Sequence, residues 1–116
     1  MMKTAIIVDD DFDYVDTLSE LLEEEITVVG KGYNGKEAID LFSKHSPDVV
    51  FVDIMMPEGS GFHAIRGIKK INDKAKIIAV TADLKESTNE KLIQLKVHGI
   101  VYKPFEIKEI IYYVNN

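Results

Sequence analysis

Six polar residues stand where the apolar runs of this sequence stop. Ala5-Ile6-Ile7-Val8 gives way to Asp9-Asp10-Asp11, and Val49-Val50-Phe51-Val52 gives way to Asp53. Ile77-Ile78-Ala79-Val80 ends in Thr81, and Ile100-Val101-Tyr102 runs into Lys103. If these runs are neighbouring parallel strands, several carboxylates, a hydroxyl and an ammonium converge on one edge of a sheet. Two like charges about 4 Å apart repel by roughly 4 kcal/mol at an effective dielectric near 20. Three clustered carboxylates therefore consume a large share of the roughly 5–15 kcal/mol that holds a domain folded. A hard divalent cation removes that cost, and an all-oxygen donor set points to Mg²⁺ rather than zinc. Lys103 is a second counter-charge. A carboxylate nucleophile beside a cation and a lysine makes half of a phosphoryl-transfer site.

Each residue also has an ordinary explanation. Acids favour the first turn of a helix, which accounts for Asp9 to Asp11. Asp53 can form an Asx turn ahead of Pro57. Thr81 can cap the helix that follows it, and a lone Lys103 is a solvated surface charge. The signal is the coincidence of all four at the ends of four separate runs.

The elements that must position these side chains are legible as an alternation. Strand-like runs occupy residues 4–8, 27–31, 48–52, 76–80 and 99–102, and most are continuously apolar, as expected of strands covered on both faces. Between them the apolar spacing is helical: Val15, Leu18 and Leu22 form one stripe, Phe62, Ile65 and Ile68 another. Ile107, Ile110, Ile111 and Val114 fall at i, i+3, i+4 and i+7. Asn34-Gly35 is expected to open the second helix and Ser46-Pro47 to close it, with Gly59-Ser60-Gly61 a loop ahead of the third. Pro104 stops the last strand by removing a ladder donor. A β-α-β-α order with right-handed crossovers gives an α/β doubly wound parallel sheet, whose sites lie at the carboxyl ends of the strands.

Bulk properties narrow the function. The 116 residues suit a single domain spanning 1–116, and 46% hydrophobic with 29% charged residues is ordinary for a soluble globular protein. With no cysteine, disulfides and thiolate metal sites are excluded. No apolar run approaches the roughly 20 residues that span a bilayer, and the start has no signal-peptide layout, so a cytoplasmic location is expected. Fourteen Lys and Arg against 20 Asp and Glu give a net charge of −6, which argues against direct nucleic-acid binding through the bulk field.

Across essentially its whole length the chain resembles the response-regulator receiver family of two-component signalling. The resemblance rests on Val8-Asp9-Asp10, Asp53-Ile54-Met55-Met56-Pro57, Gly61, Val80-Thr81-Ala82 and Lys103-Pro104-Phe105, in the family's order and spacing. It implies a flavodoxin-like fold, a five-stranded parallel sheet flanked by five helices. It implies Asp53 as phosphoacceptor, with Asp9, Asp10, Asp53 and the Met55 carbonyl around Mg²⁺, Thr81 bonding one phosphoryl oxygen and Lys103 pairing with another. The donor implied is a phosphohistidine of a sensor histidine kinase or histidine phosphotransfer protein, or a small acyl phosphate. The output is an unknown partner, met through the last two helices and last strand, with the protein a monomer or a phosphorylation-dependent homodimer. Lys108, Glu109, Tyr112 and Tyr113 are expected on the exposed face of the last helix. In this reading the chain is a signalling phosphoacceptor and not a turnover enzyme; its chemistry is self-phosphorylation and autodephosphorylation.

The chain departs from the family at Ile100, where an aromatic often turns inward on activation. Tyr102 is the nearest aromatic, and strand parity puts it on the same side as Ile100, as a half-buried packing residue. Met55 and Asp83 occupy the positions that tune phosphoryl lifetime in the family. His45 and His98 are expected at helix ends and His63 in the first turn of the third helix, none of them ligands. Two variants of the function are a phosphorelay intermediate and a receiver cut from a longer regulator. A different class, an aspartyl-nucleophile phosphatase, usually has a second acid where Met55 stands. A flavodoxin-like nucleotide binder wants a glycine- or hydroxyl-rich loop where the three acids stand.

Overall fold

The computed structural model describes residues 2–116. The chain alternates β1 (Thr4–Val8), α1 (Phe12–Leu22), β2 (Thr27–Gly32), α2 (Gly35–His45), β3 (Val49–Asp53), α3 (Ser60–Ile71), β4 (Ile77–Thr81), α4 (Glu86–Gln94), β5 (Gly99–Tyr102) and α5 (Ile107–Asn115), with a 3₁₀ turn at Pro57–Gly59 before α3. The strands form one parallel sheet in the order β2-β1-β3-β4-β5. This is the flavodoxin-like, five-stranded doubly wound arrangement expected from the sequence. The strand order reverses between β1 and β3, where a crevice opens beyond their carboxyl ends.

Period-two alternation sorts the central strands between two cores. Ile6, Val8, Val50, Val52, Ile77 and Ala79 pack with Ala38 and Phe42 of α2, Ala64, Ile65 and Ile68 of α3 and Leu92 of α4. Ala5, Ile7, Val49, Phe51, Ile78 and Val80 pack with Val15, Leu18 and Leu22 of α1 and Ile110 and Val114 of α5. Every residue of β3 and β4 is buried, which explains their unbroken apolar character and the weight of any polar residue at their ends.

Capping fixes where the helices begin. The Asp11 carboxylate accepts the Tyr14 N–H at 3.1 Å, and the Asn34 side chain accepts the Glu37 N–H at 2.8 Å. Glu37 returns a bond to the Tyr33 N–H at 2.8 Å, and Glu106 with Glu109 forms a capping box on α5. Ser46 ends α2 in the left-handed region at φ 44°, ahead of Pro47.

Two local expectations are corrected. Ser60 and Gly61 lie inside α3, which starts directly after the Pro57–Gly59 turn, where Glu58 reverses the chain in the left-handed region at φ 60°. Gly61 is needed there: a Cβ would stand 2.5 Å from the Asp53 carbonyl oxygen and 2.7 Å from the Ile54 Cα, so α3 rests directly on the end of β3. Tyr113 is half-buried, with its ring lying where a Cβ on Gly99 would be; Lys108, Glu109 and Tyr112 are exposed as expected.

Candidate functional site

The carboxyl ends of β1, β3, β4 and β5 carry the expected residues to one place. Asp9 follows β1 directly, and its N–H still bonds the Gly32 carbonyl of β2 at 3.0 Å, so the backbone is held in register to that point. Asp53 is the last residue of β3 and pairs with Val80. Thr81 closes β4 opposite Tyr102, and the Lys103 N–H bonds the Thr81 carbonyl at 2.8 Å. Asp9, Asp53 and Thr81 are the buried polar residues of the chain, at 1%, 6% and 0% exposure among the described residues. Asp10 is exposed and Lys103 half-buried.

One oxygen from each of Asp9, Asp10 and Asp53 lies within 4.8 Å of the others. The Lys103 ammonium stands 2.9 Å from Asp9 Oδ2 and 3.6 Å from Asp53 Oδ2. The remaining oxygens are also engaged: Asp53 Oδ1 accepts the Met55 N–H at 3.0 Å, and Asp9 Oδ1 accepts the Asp11 N–H at 3.0 Å. Burial pushes the Asp53 carboxyl above its usual value, and the Asp9 charge adds to this; the Met55 N–H and Lys103 pull it the other way without cancelling the rise. One ammonium faces three carboxylates, so about two negative charges stay uncompensated in a half-buried crevice. All-oxygen donors with excess negative charge fit a hard divalent cation such as Mg²⁺.

Thr81 stands beside this group without bonding Asp53. Its oxygen accepts the Asp83 N–H at 2.9 Å. The Asp83 carboxylate in turn accepts the Thr88 hydroxyl at 2.7 Å and the Lys85 N–H at 2.9 Å, which ties the β4–α4 connection to the first turn of α4. The Met55 side chain points outward, more than half exposed, so the part of Met55 that meets the site is backbone. His63, in the first turn of α3, lines with Asp10 an open cleft of about 400 Å³ next to the acids, but no histidine joins the carboxylate cluster among the described residues.

Two contributors escaped the sequence. Tyr14, on α1, puts its ring 4.1 Å from the Lys103 ammonium, and its hydroxyl is buried with no hydrogen-bond partner among the described residues. It sits four residues before Leu18, at the edge of the α1 stripe, and that spacing was the available signal. Tyr102 is half-buried as expected, but its hydroxyl also donates to Asn89 Oδ1 of α4 at 2.5 Å. Nothing in the spacing of residues 89 and 102 announces that bond.

Residues 5–115 match the family model for the response regulator receiver domain. The chain belongs to that family, and so to the receiver domains of two-component response regulators. It is 34% identical to the chemotaxis protein CheY of Halobacterium salinarum over 106 residues, covering 91% of this chain and 88% of that protein. It is 34% identical to the response regulator SaeR of Staphylococcus aureus over 115 residues, covering 99% of this chain and 50% of that one. A solved DNA-binding response regulator of the LuxR family from Staphylococcus aureus superposes with a TM-score of 0.89 at 27% identity, over 99% of this chain and all of the other. No helix of the described residues is long and apolar enough to cross a membrane.

Proposed function

We propose that this domain takes a phosphoryl group onto Asp53 from a phosphohistidine of a sensor histidine kinase or histidine phosphotransfer protein, and changes its surface in response. The observation that carries the reading is the buried Asp53 carboxylate, held at the end of β3 between Asp9 and Lys103. A burial-raised carboxylate is a better nucleophile than a solvated one, and the Met55 N–H aligns it. Asp53 attacks phosphorus in line; a P–O bond to the carboxylate forms as the P–N bond to histidine, or the P–O bond of a small acyl phosphate, breaks. Lys103 is close enough to both acids to follow the charge onto a phosphoryl oxygen. Asp9, Asp10, Asp53 and the Met55 backbone carbonyl are the groups that would hold Mg²⁺. The ion supplies charge neutralisation between the carboxylates and the incoming phosphoryl oxygens. Water later cleaves the acyl phosphate, so the domain is a switch and not a turnover enzyme.

Thr81 links the chemistry to the surface. A hydroxyl both accepts and donates, so its bond from the Asp83 N–H leaves its proton for a phosphoryl oxygen on Asp53. Turning that hydroxyl toward Asp53 loosens Asp83, and Asp83 holds Thr88 of α4. A charge event at one strand end thus biases the α4–β5–α5 face, which is the surface proposed to meet an output protein or a second copy in the cytoplasm. SaeR is about twice the length that this chain matches, which favours as a second reading a receiver that works inside a longer regulator.

Incubation with acetyl phosphate, with and without Mg²⁺, tests the reading by intact mass. One added phosphoryl group that requires Mg²⁺ and is absent in Asp53→Asn is expected. No adduct, together with no binding of a beryllofluoride mimic, would overturn it.

A further inference from the structure

The chain has a formal charge of −6, yet the outer groove between α3 and α4 is cationic. Arg66, Lys69 and Lys70 line it from α3, and Lys96 closes it just past the end of α4, around about 530 Å³ of open space. Lys91 of α4 extends the ridge: its ammonium lies 4.2 Å from the centre of the Phe62 ring, which the Arg66 guanidinium approaches at 5.9 Å. Against these stands the carboxylate of Asp73. Among the described residues none of these five cations has a carboxylate within ion-pairing distance; Lys3, Lys44, Lys74, Lys76 and Lys85 elsewhere have none either, and what sets the groove apart is that five cations line or flank it together against one carboxylate.

Local structure engages three of them, Lys91 and Arg66 against the Phe62 ring and Lys69 by hydrogen bonds. Lys69 donates to the carbonyls of Asp73 and Lys96, each at 3.0 Å, and so ties the ends of two helices whose dipoles favour a cation. Arg66, Lys70 and Lys91 make no such bond. Phe62, Arg66 and Lys70 recur every four residues, a continuous stripe on α3 beside its buried face of Ala64, Ile65 and Ile68. Half-buried Leu95 gives the groove an apolar patch. The groove lies at the C-terminal ends of α3 and α4, hence at the edge of the sheet away from Asp53.

We propose that this groove docks an acidic segment of a protein partner, rich in Asp and Glu and carrying an apolar residue that rests on Leu95. Charge complementarity selects the partner, and the chain's own excess of acid limits its length. A nucleic acid would run past the groove onto a surface that repels phosphate. A flat bilayer fits a concave cleft between helices poorly. The inference does not depend on whether Asp53 accepts a phosphoryl group.

The test is fluorescence anisotropy with a fluorescein-labelled glutamate-rich peptide bearing leucines at helical spacing. Saturable binding that weakens as salt rises is expected. Arg66→Glu with Lys70→Glu should weaken it by roughly tenfold, and Lys36→Glu with Lys44→Glu on α2 by less than about twofold. Amide shifts of the unmodified protein on adding peptide should move along residues 66–70 and 91–96, a readout independent of how the variants fold. Absence of saturable binding, equal loss in both reversals, or shifts confined elsewhere would overturn the proposal. Tighter binding of duplex DNA or phosphatidylserine vesicles, with the same sensitivity to Arg66 and Lys70, would replace the peptide as occupant and so overturn it too.

Discussion

The Lys103 ammonium stands 4.1 Å from the centre of the Tyr14 ring, joining the end of the last strand to the first helix. The same ammonium faces Asp9 at 2.9 Å, so the ring closes one side of the cage that holds it. Burial, with the Asp9 and Asp53 charges behind it, keeps the Tyr14 phenol protonated well above its usual range. Its hydroxyl gains nothing from that position, being buried without a partner. Tyr14→Phe keeps the ring and removes a polar group whose burial costs about 1–3 kcal/mol, so thermal unfolding should move up by a few degrees. Phosphoryl uptake from acetyl phosphate should be unchanged. Tyr14→Leu removes a cation–π contact worth about 0.5–2 kcal/mol and should slow uptake several-fold. Equal uptake in all three proteins would show that the ring does not hold Lys103.

Asp53 carries a charge that the fold bears at a cost. Because its folded pKa lies above the ordinary one, the folded state binds this proton more tightly than the unfolded chain does. The stability associated with Asp53 is therefore largest below the ordinary carboxylate value and falls as pH rises through the raised one. At neutral pH, without Mg²⁺, Asp53→Asn should be more stable than the parent by on the order of 1 kcal/mol. That advantage should shrink on acidification as pH falls through the raised value, where the parent carboxyl takes up its proton. Added Mg²⁺ should raise the melting temperature of the parent more than that of the variant. Thermal unfolding across pH, with and without the ion, measures all three.

The strand ends were readable because a polar residue after a continuous apolar run has few ordinary uses in a sheet buried on both faces. Asp9, Asp53, Thr81 and Lys103 follow such runs and do stand at one edge of the sheet. Asp11 could not be separated from Asp9 and Asp10 that way; it turned to cap α1 and left the cluster to its two neighbours and Asp53. Tyr14 and Lys103 meet across 89 positions of sequence, and Tyr102 meets Asn89 between a strand and a helix. Local periodicity marks which face a residue shares, not which partner waits there. Tyr113 failed for the same reason: its helical position was ambiguous until Gly99 opened a place for its ring.

Gly61 and Gly67 both lie on α3 and both face close neighbours, yet they should respond differently to alanine. At Gly61 the new methyl meets backbone, the Asp53 carbonyl at 2.5 Å and the Ile54 Cα at 2.7 Å. Neither can retreat without moving the end of β3. Gly61→Ala should destabilise by about 2–3 kcal/mol and slow phosphoryl uptake by displacing Asp53. At Gly67 the methyl meets only side chain, Ile39 Cδ1 at 2.2 Å and Cγ1 at 2.6 Å, so Ile39 must turn about a stiff χ1 while the backbone stays in place. Helix propensity returns up to about 1 kcal/mol there, so Gly67→Ala should destabilise less than Gly61→Ala, with uptake intact. Chemical denaturation and the acetyl phosphate assay separate the two cases.

Two side-chain bonds hold the first half of α4, Thr88 to Asp83 at 2.7 Å and Tyr102 to Asn89 at 2.5 Å. Only the first connects to Thr81, through the Asp83 N–H. The Thr88 hydroxyl, followed by the Lys85 N–H, holds the Asp83 carboxyl below its usual value. That contribution is present above the ordinary carboxylate value and is lost only as pH falls through the depressed one. In an NMR titration Asp83 should therefore titrate below an ordinary aspartate, and Thr88→Val should return it toward normal. Tyr102→Phe should speed amide exchange in α4 by roughly fivefold, the equivalent of about 1 kcal/mol, and leave the Asp83 titration where it was. If α4 is released by way of Thr81, then phosphorylation of Asp53 should shift the Asp83 titration in both the parent and Tyr102→Phe. An Asp83 titration indifferent to phosphorylation in both proteins would break the proposed link between Thr81 and α4 at its first step.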